Sequence, residues 1–213
     1  MRNVLPWLAG AALIVVVLAA GILNPVRPAS IGTDALGPDN GELVEDYLDR
    51  AATSIADTAD TTTPRWALVS FTDSVDIETV AVLPKVRVSQ VLFRVPLDRV
   101  QTPLVTVDVS EHPDSLARAG TVAAGLLGPR TAGTGRAARV AQVSAERLAA
   151  GCACVAGIVV RGTLPQLRAL GDVAEVRAVE ALPADAVAGR FSVTPLLPEH
   201  VDTVAPGPDD GEP

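Results

Sequence analysis

The chain of 213 residues has few of the side chains that support catalytic and metal chemistry. It contains two cysteines and two histidines, and aromatic residues make up only 3% of it. Two cysteines are too few for a disulfide scaffold or an all-cysteine zinc site. The sequence also lacks a Gly-x-Ser-x-Gly nucleophile elbow, a glycine-rich phosphate loop and a His-Glu-x-x-His helix. We therefore expect neither an enzyme nor a bound cofactor.

Acidic residues outnumber basic ones by 25 to 17, which gives a net charge of −8 at pH 7. This total argues against a nucleic-acid-binding protein, because such proteins need clustered cations to contact phosphates. Most of the excess lies in two flanks: residues 29–64 hold eight acids and one arginine, and residues 199–213 hold five acids and no base. Residues 65–198 hold fourteen basic and twelve acidic side chains. The total charge therefore does not exclude an anionic partner for this central segment.

An uncharged apolar run lies near the N-terminus. Residues 4–23 are mostly Val, Leu, Ile, Ala and Gly, and no charged residue occurs between Arg2 and Arg27. A helix of this length spans roughly 30 Å, the thickness of the hydrocarbon core of a bilayer. Pro25 and Pro28 follow the run and favour its termination. We predict a single transmembrane anchor within residues 1–28, with residues 4–23 in the bilayer.

A cleavable signal peptide is the alternative for this segment, with Ala19-Ala20-Gly21 as a small-residue cleavage site. The apolar run is longer than the usual core of a signal peptide, which favours the uncleaved anchor. Arg2 and Arg27 leave the positive-inside rule almost balanced. We expect a cytoplasmic N-terminus and an extracytoplasmic bulk of the chain, in a single-pass protein of the plasma membrane.

The acidic segment 29–64 reads as a juxtamembrane linker with one short amphipathic helix. Leu43, Tyr47, Ala51 and Ile55 recur every four residues and form one stripe on such a helix. The helix either packs on the domain that follows or forms the seam of a short coiled-coil dimer. We favour packing on the domain, because the segment holds two heptads at most, too few to indicate a coiled coil.

Residues 65–198 are predicted to be the folded domain, and residues 199–213 a disordered acidic tail rich in Pro and Gly. Asp76 or a neighbouring serine is expected to cap the first helix of the domain, Asp114 the second, and Gly151 to end the third. Strands are predicted at 66–71, 86–95, 104–109, 153–160 and 173–181, and helices at 74–83, 114–127, 136–150 and 164–170.

Two strand–helix–strand units of similar length occur in this domain, at 67–98 and 156–185. Each unit has a β-branched strand, a short helix, a second strand and a closing Pro-x-Asp. Their order indicates an α/β fold built as an α+β sandwich. The split βαβ, ferredoxin-like arrangement is the natural candidate, since its crossovers are right-handed and one helical layer covers one sheet face.

The second unit resembles part of a known family. Residues 155–183, VAGIVVRGTLPQLRALGDVAEVRAVEALP, are similar to the second half of the inhibitor-like propeptides of subtilisin-type proteases, with residues 171–176 at the turn before the closing strand. The resemblance implies a ferredoxin-like fold and a protease-inhibitor-like module. The composition, with one lysine and abundant Ala, Val, Gly, Pro and Arg, resembles that of single-pass membrane proteins of high-GC actinobacteria. That second resemblance implies a location but no activity.

Cys152-Ala153-Cys154 is the most specific candidate for chemistry. On a strand, two residues separated by one point to the same face, and small thiols suit a buried face, so a purely structural role is favoured. A strained disulfide is the second interpretation, and an extracytoplasmic compartment would permit it. Redox catalysis or soft-metal binding with ligands from elsewhere is the third.

Asp108, Glu111, His112 and Asp114 form a weaker candidate, a cluster of hard ligands at a strand-to-helix turn. Carboxylates with an imidazole suit a divalent cation. The alternative, which we favour, is that Asp114 caps a helix and the other side chains are solvated. We therefore expect no resident metal.

Arg130, Arg136 and Arg139 gather around one loop and helix start. They suit an anionic lipid headgroup or a cell-wall polymer, although a solvated helix face is the default interpretation of such a run. Together these features favour a membrane-anchored, extracytoplasmic interaction or scaffold module of the cell envelope with a protein partner. An envelope thiol-disulfide or metal-handling protein is the first alternative, and a protease-inhibitor-like module is the second.

Overall fold

A computed structural model describes residues 34–213, which form a mixed α/β structure. The predicted membrane span at residues 4–23 lies outside the described residues. Among residues 34–213, no helix is both long and apolar enough to cross a bilayer.

The described part of the chain contains seven strands and six α-helices. The strands are β1 (Ala35–Leu36), β2 (Arg65–Val75), β3 (Arg87–Phe93), β4 (Val105–Asp108), β5 (Val155–Gly162), β6 (Val176–Ala181) and β7 (Ser192–Val193). The helices are α1 (Val44–Ile55), α2 (Ile77–Val82), α3 (Pro113–Ala117), α4 (Ala119–Leu127), α5 (Arg136–Ala149) and α6 (Leu164–Gly171), with a 3₁₀ turn at Gly128–Arg130.

Five strands form one antiparallel sheet in the order β4-β3-β5-β2-β6. The two predicted strand–helix–strand units are present as β2-α2-β3 and β5-α6-β6. Between them the chain adds the edge strand β4 and helices α3, α4 and α5. We call residues 113–149, which contain these three helices, the helical insertion.

One face of the sheet holds the main hydrophobic core. Ala67, Val69 and Phe71 of β2 point to this face and are fully buried. Helix α6 contributes Leu164 and Leu167, and α2, α4 and α5 contribute further apolar side chains to the same cluster. The apolar helix faces predicted from helical spacing and the apolar strand faces predicted from alternation therefore pack against each other in this core.

The opposite face of the sheet is also covered. Leu68 of β2 and Val159 of β5 are buried there against Leu36 of β1. Beside them, Tyr47 of α1 is buried against Leu196, beyond β7. Strand β2 is apolar on both faces, so both of its faces require a cover.

Helix α1 occupies almost the predicted position, and its residues Val44, Tyr47 and Ala51 pack on the second face of the sheet, whereas Leu43 is exposed. This is the first of the two interpretations that the helical spacing left open. Gly37 precedes the helix, with a φ of +107°. A Cβ atom at this residue would overlap the backbone oxygen of Thr194, so glycine is required where β1 pairs with β7.

The acidic segment 199–213 differs from the expected disordered tail. Thr203 forms a β-bridge with Leu43, and Val204 is buried beside α1. Beyond it, residues 207–211 lie along the loop at residues 99–101. The composition predicts that most of this segment stays out of the hydrophobic core. It does not predict the backbone and carboxylate contacts that bind the segment to the domain.

Other local predictions differ in detail. The single helix expected at 114–127 is divided into α3 and α4 at Arg118, and His112 rather than Asp114 is the N-cap of α3. Strand β5 begins at Val155, not at residue 153. Asp76 caps α2 as expected, and Gly151 follows α5 with a φ of +78°.

Candidate functional site

The two cysteines are joined by a disulfide bond in the structure. They lie in the turn between α5 and β5, not on the strand, and their Cα atoms are 5.3 Å apart. Cys154 is buried in the main core, whereas Cys152 is partly exposed. The backbone N–H of Arg94 donates to the carbonyl of Cys154 at 2.8 Å. This arrangement differs from the favoured expectation of two unpaired thiols on a buried strand face.

In the predicted cation cluster, His112 and Asp114 contact each other, whereas Asp108 and Glu111 bond to residues outside the cluster. Asp108 accepts a hydrogen bond from Nε2 of Gln90 at 2.9 Å, and Glu111 pairs with Arg87. Nδ1 of His112 accepts from the backbone N–H of Asp114 at 3.3 Å and caps α3.

These contacts leave the predicted cluster without a shared cation position. Within residues 34–213, no group of three or more His, Cys, Asp or Glu side chains is arranged to hold a metal ion.

Sequence reasoning missed a buried polar cluster between α1 and the second face of the sheet. The carboxylate of Glu180 on β6 accepts hydrogen bonds from the backbone N–H of Gly37, at 2.5 Å, and from the guanidinium of Arg50. Arg50 also pairs with Glu42 at 3.0 Å and lies over the ring of Tyr47. The available signal was an acidic residue, Glu180, that follows two apolar residues on β6.

Burial controls the ionisation of this cluster. Desolvation raises the pKa of the Glu180 carboxyl above its usual range, although the N–H of Gly37 and the charge of Arg50 act in the opposite direction. Burial also raises the pKa of the Tyr47 hydroxyl, with a further contribution from the Glu180 charge. Both side chains are almost inaccessible to solvent. The cluster therefore joins α1 and β1 to the sheet and offers no open site to a ligand.

The helical insertion presents an exposed surface of different character. Val122 and Leu126, one turn apart on α4, are 48% and 54% exposed. No acidic residue occurs from Ser115 to Ala145, whereas this stretch holds four arginines. The arginines are Arg118, Arg130, Arg136 and Arg139. We call the exposed part of this stretch the arginine face.

Part of the arginine face is in contact with the acidic C-terminal segment. The carboxylate of Asp209 lies 2.9 Å from Nη2 of Arg136 and accepts the backbone N–H of Gln101 at 3.0 Å. Asp210 pairs with Arg99 at 2.5 Å. The sequence shows both the arginines and the acids, but their long-range contact is visible only in the fold.

Comparisons with known proteins matched no family model, no curated protein and no solved structure.

Proposed function

We propose that the protein is a membrane-anchored interaction module of the cell envelope, without catalytic activity of its own. Residues 4–23 hold it in the bilayer, and its extracytoplasmic domain binds an envelope protein through the arginine face. The observation that carries this proposal is the pair of exposed apolar side chains, Val122 and Leu126, within a stretch of chain that has arginines and no acids.

The arginine face has the composition of a binding surface. Exposed apolar residues on neighbouring turns provide area that gains free energy when a partner covers it. Arginine is enriched at protein interfaces because its planar guanidinium forms paired hydrogen bonds with carboxylates. The absence of acids between Ser115 and Ala145 favours a partner surface that is itself acidic.

We also propose that the core is a ferredoxin-like split βαβ fold. Without the edge strand β4, the sheet order is β3-β5-β2-β6, and α2 and α6 contribute to the same core cluster. In this view β4 and the helical insertion are an addition between the second and third core strands. The four core strands form a complete sheet without the added segment. Its residues are therefore free to form a binding surface.

Site-specific photocrosslinking tests the proposed surface. A photoreactive phenylalanine replaces Leu126 in the full chain, and native membranes are irradiated. We expect a discrete protein adduct that weakens at least fivefold when Arg130→Glu is added. The matched control places the same group at Val82, which is 82% exposed on α2, outside the helical insertion.

Two results would contradict the proposed surface. One is a reaction at residue 82 equal to that at residue 126. The other is an adduct that is indifferent to Arg130→Glu, which would show that charge does not select the partner. Mass spectrometry of the purified chain tests the anchor separately, because a mature chain that starts near Ile22 would identify a cleaved signal peptide.

A specific observation supports a second function, that of an envelope thiol-disulfide protein. Cys152 is the more accessible half of a disulfide that spans only two positions. A substrate thiolate would attack Sγ of Cys152 and release Cys154 as the leaving thiolate. A second substrate thiol then completes a substrate disulfide, so two substrate thiols lose two electrons and two protons while Cys152 and Cys154 become thiols.

Trapping of the intermediate tests this second function. With Cys154→Ala the lone Cys152 thiolate still attacks a substrate disulfide, the reverse of the step above, and releases one substrate thiolate. No neighbouring thiol then resolves the product, so a mixed disulfide between Cys152 and the substrate is expected to accumulate. Cys152→Ala is the matched control and should accumulate less, because the remaining thiol is buried. If acid-quenched cells contain no mixed disulfide with either variant, the redox function is excluded.

A further inference from the structure

We propose that the cleft between the loop at residues 99–103 and helix α5 is a binding site for an acidic peptide segment. In the structure, residues 207–211 of the chain itself occupy this site. The inference rests on the proposed function in one respect, because it takes the partner to be a protein. It adds the position of the site, the chemistry of its ligand and the competition between that ligand and the C-terminal segment.

Asp209 is held in the manner of a bound ligand. Its carboxylate accepts the backbone N–H of Gln101 at 3.0 Å and the guanidinium of Arg136 at 2.9 Å. Nη2 of Arg136 also donates to the backbone oxygen of Asp209 at 3.1 Å. These contacts lower the pKa of the Asp209 carboxyl below its usual range. The site therefore recognises both the charge and the main chain of the segment.

The segment on either side of Asp209 is also held through its backbone. Nε2 of Gln101 donates to the carbonyl of Gly207 at 2.6 Å. The N–H of Gly211 donates to the carbonyl of Arg99 at 2.7 Å. Main-chain contacts of this kind bind an extended peptide with little regard to its sequence.

Gly211 fits a position that accepts no side chain. A Cβ atom there would lie 2.9 Å from the backbone oxygen of Arg99 and closer still to that of Asp98. Real Cβ atoms do not approach backbone oxygens this closely, so a larger residue must lift the segment from the loop. The close fit is an observation independent of the ion pairs.

Charge identifies the chemical class of the ligand. Arg136 pairs with Asp209 and Arg99 pairs with Asp210. Arg139 and Glu212 line the same cleft. A peptide with several carboxylates along its backbone therefore suits this cleft, because the arginines are also spaced along it and each can pair with one carboxylate.

An adjoining cleft leaves room for a partner side chain. This cleft has a volume of about 720 Å³ and extends from Asp209 between the 101–103 loop and α5, lined in part by Pro103, Val140 and Arg130. An acidic partner peptide with an apolar residue near its carboxylates would fill both parts of the site.

The C-terminal segment is in a position to exclude such a ligand. A segment attached to the same chain acts at an effective concentration on the order of millimolar, so a free peptide of similar affinity competes poorly with it. Loss of the intramolecular ion pairs should open the site to a peptide added in solution.

Fluorescence anisotropy with a labelled peptide tests the proposal on the full chain in detergent micelles. The probe is the chain's own acidic sequence, APGPDDGEP. We expect it to bind the variant Asp209→Asn/Asp210→Asn at least tenfold more tightly than the unaltered protein. Gly211→Val should also expose the site, with the acids still present.

Three further measurements make the test specific. Arg136→Gln added to the double variant should weaken peptide binding at least tenfold, whereas Arg190→Gln, an exposed arginine near β7, should not. A neutral probe, APGPNNGQP, should bind at least tenfold more weakly, because it keeps the main-chain contacts but lacks the ion pairs. Circular dichroism and the midpoint of urea unfolding verify that each variant is folded.

The proposal is overturned if the double variant and the unaltered protein bind the acidic probe equally, including the case in which neither binds it. It is also overturned if Arg136→Gln has no effect. Failure of the photocrosslink at residue 126 with intact peptide binding would contradict the envelope-partner proposal alone. The reverse result would contradict the peptide site alone.

Discussion

The guanidinium of Arg50 on α1 pairs with the buried carboxylate of Glu180 on β6. The same carboxylate accepts the N–H of Gly37, so one side chain of the sheet contacts both α1 and the residue that follows β1. Arg50 remains 43% exposed, whereas the side chain of Glu180 is 6% exposed. Segments that lie 143 and 130 positions from Glu180 in sequence are thereby fixed to the sheet by polar contacts as well as by apolar packing.

Replacement of Arg50 should destabilise the fold because it removes the countercharge of a buried carboxylate. For Arg50→Gln we expect the free energy of unfolding to fall by about 1–2 kcal/mol, a charged hydrogen bond reduced by the solvent exposure of the arginine. Urea denaturation followed by circular dichroism measures the loss. The matched control is Arg87→Gln, which breaks a pair with the 80% exposed Glu111.

The control variant should lose less than about 1 kcal/mol, since exposed ion pairs contribute little. Equal losses for Arg50→Gln and Arg87→Gln would show that the buried position of Glu180 adds nothing to the strength of its pair.

The stability contribution of Glu180 should depend on pH with a definite sign. Its folded-state pKa is raised by burial, so between the unfolded and folded pKa values the folded chain binds more protons. Stability from this group is therefore full below its unfolded pKa and is lost as the pH rises through its folded pKa. The charged groups that face Glu180 are Arg50 and, at high pH, Tyr47. Glu42 pairs with the same arginine.

Glu180→Gln isolates this effect, because the amide resembles the protonated acid and does not titrate. The free energy of unfolding of the variant, relative to the unaltered protein, should increase as the pH is raised from 4 toward neutrality. Urea titrations at several pH values measure the difference. A difference that decreases over this range would mean that ion pairing with Arg50 outweighs desolvation.

Tyr47 should contribute through its ring and not through its hydroxyl. The side chain is fully buried, and its oxygen lies near the side chains of Ser70 and Glu180 without hydrogen-bond geometry to either. Tyr47→Phe removes an unsatisfied buried group, so we expect stability to be unchanged or up to about 1 kcal/mol higher.

Tyr47→Ala should lose about 3–5 kcal/mol, because it leaves a cavity between α1 and the sheet. Thermal or urea unfolding of the two variants separates the contribution of the ring to stability from that of the hydroxyl. A loss above about 1 kcal/mol for Tyr47→Phe would reveal that the hydroxyl has a bonding partner in solution.

The sequence predicted local elements well and long-range contacts poorly. The spacing of apolar residues identified α1, α5 and α6, and β-branched runs identified the five strands of the main sheet, because these patterns arise within one element. Packing of α1 on the domain was one of the predicted alternatives, but the full coverage of the second sheet face was not predicted. It depends on chain segments at 34–55 and 182–204, whose individual patterns do not specify their partners.

The candidate sites show the same division. Cys152 and Cys154 were recognisable from their spacing, but the spacing did not decide between free thiols and a bond. The sequence did not identify the role of Glu180 or the contact between Asp209 and Arg136, because each involves residues more than 70 positions apart. Conversely, Asp108 and Glu111 are close in sequence but bond to different partners in the fold.

The disulfide between Cys152 and Cys154 should stabilise the fold only modestly, since it closes a loop of three residues. The chain-entropy relation gives roughly 1.5 kcal/mol for so short a loop. We therefore expect tris(2-carboxyethyl)phosphine to lower the free energy of unfolding by about this amount in urea denaturation. Cys152→Ala is the control and should not respond to the reductant. Two free thiols in the unfolded chain without reductant would show that the bond is absent, and a response of the control variant would show that the reductant acts elsewhere.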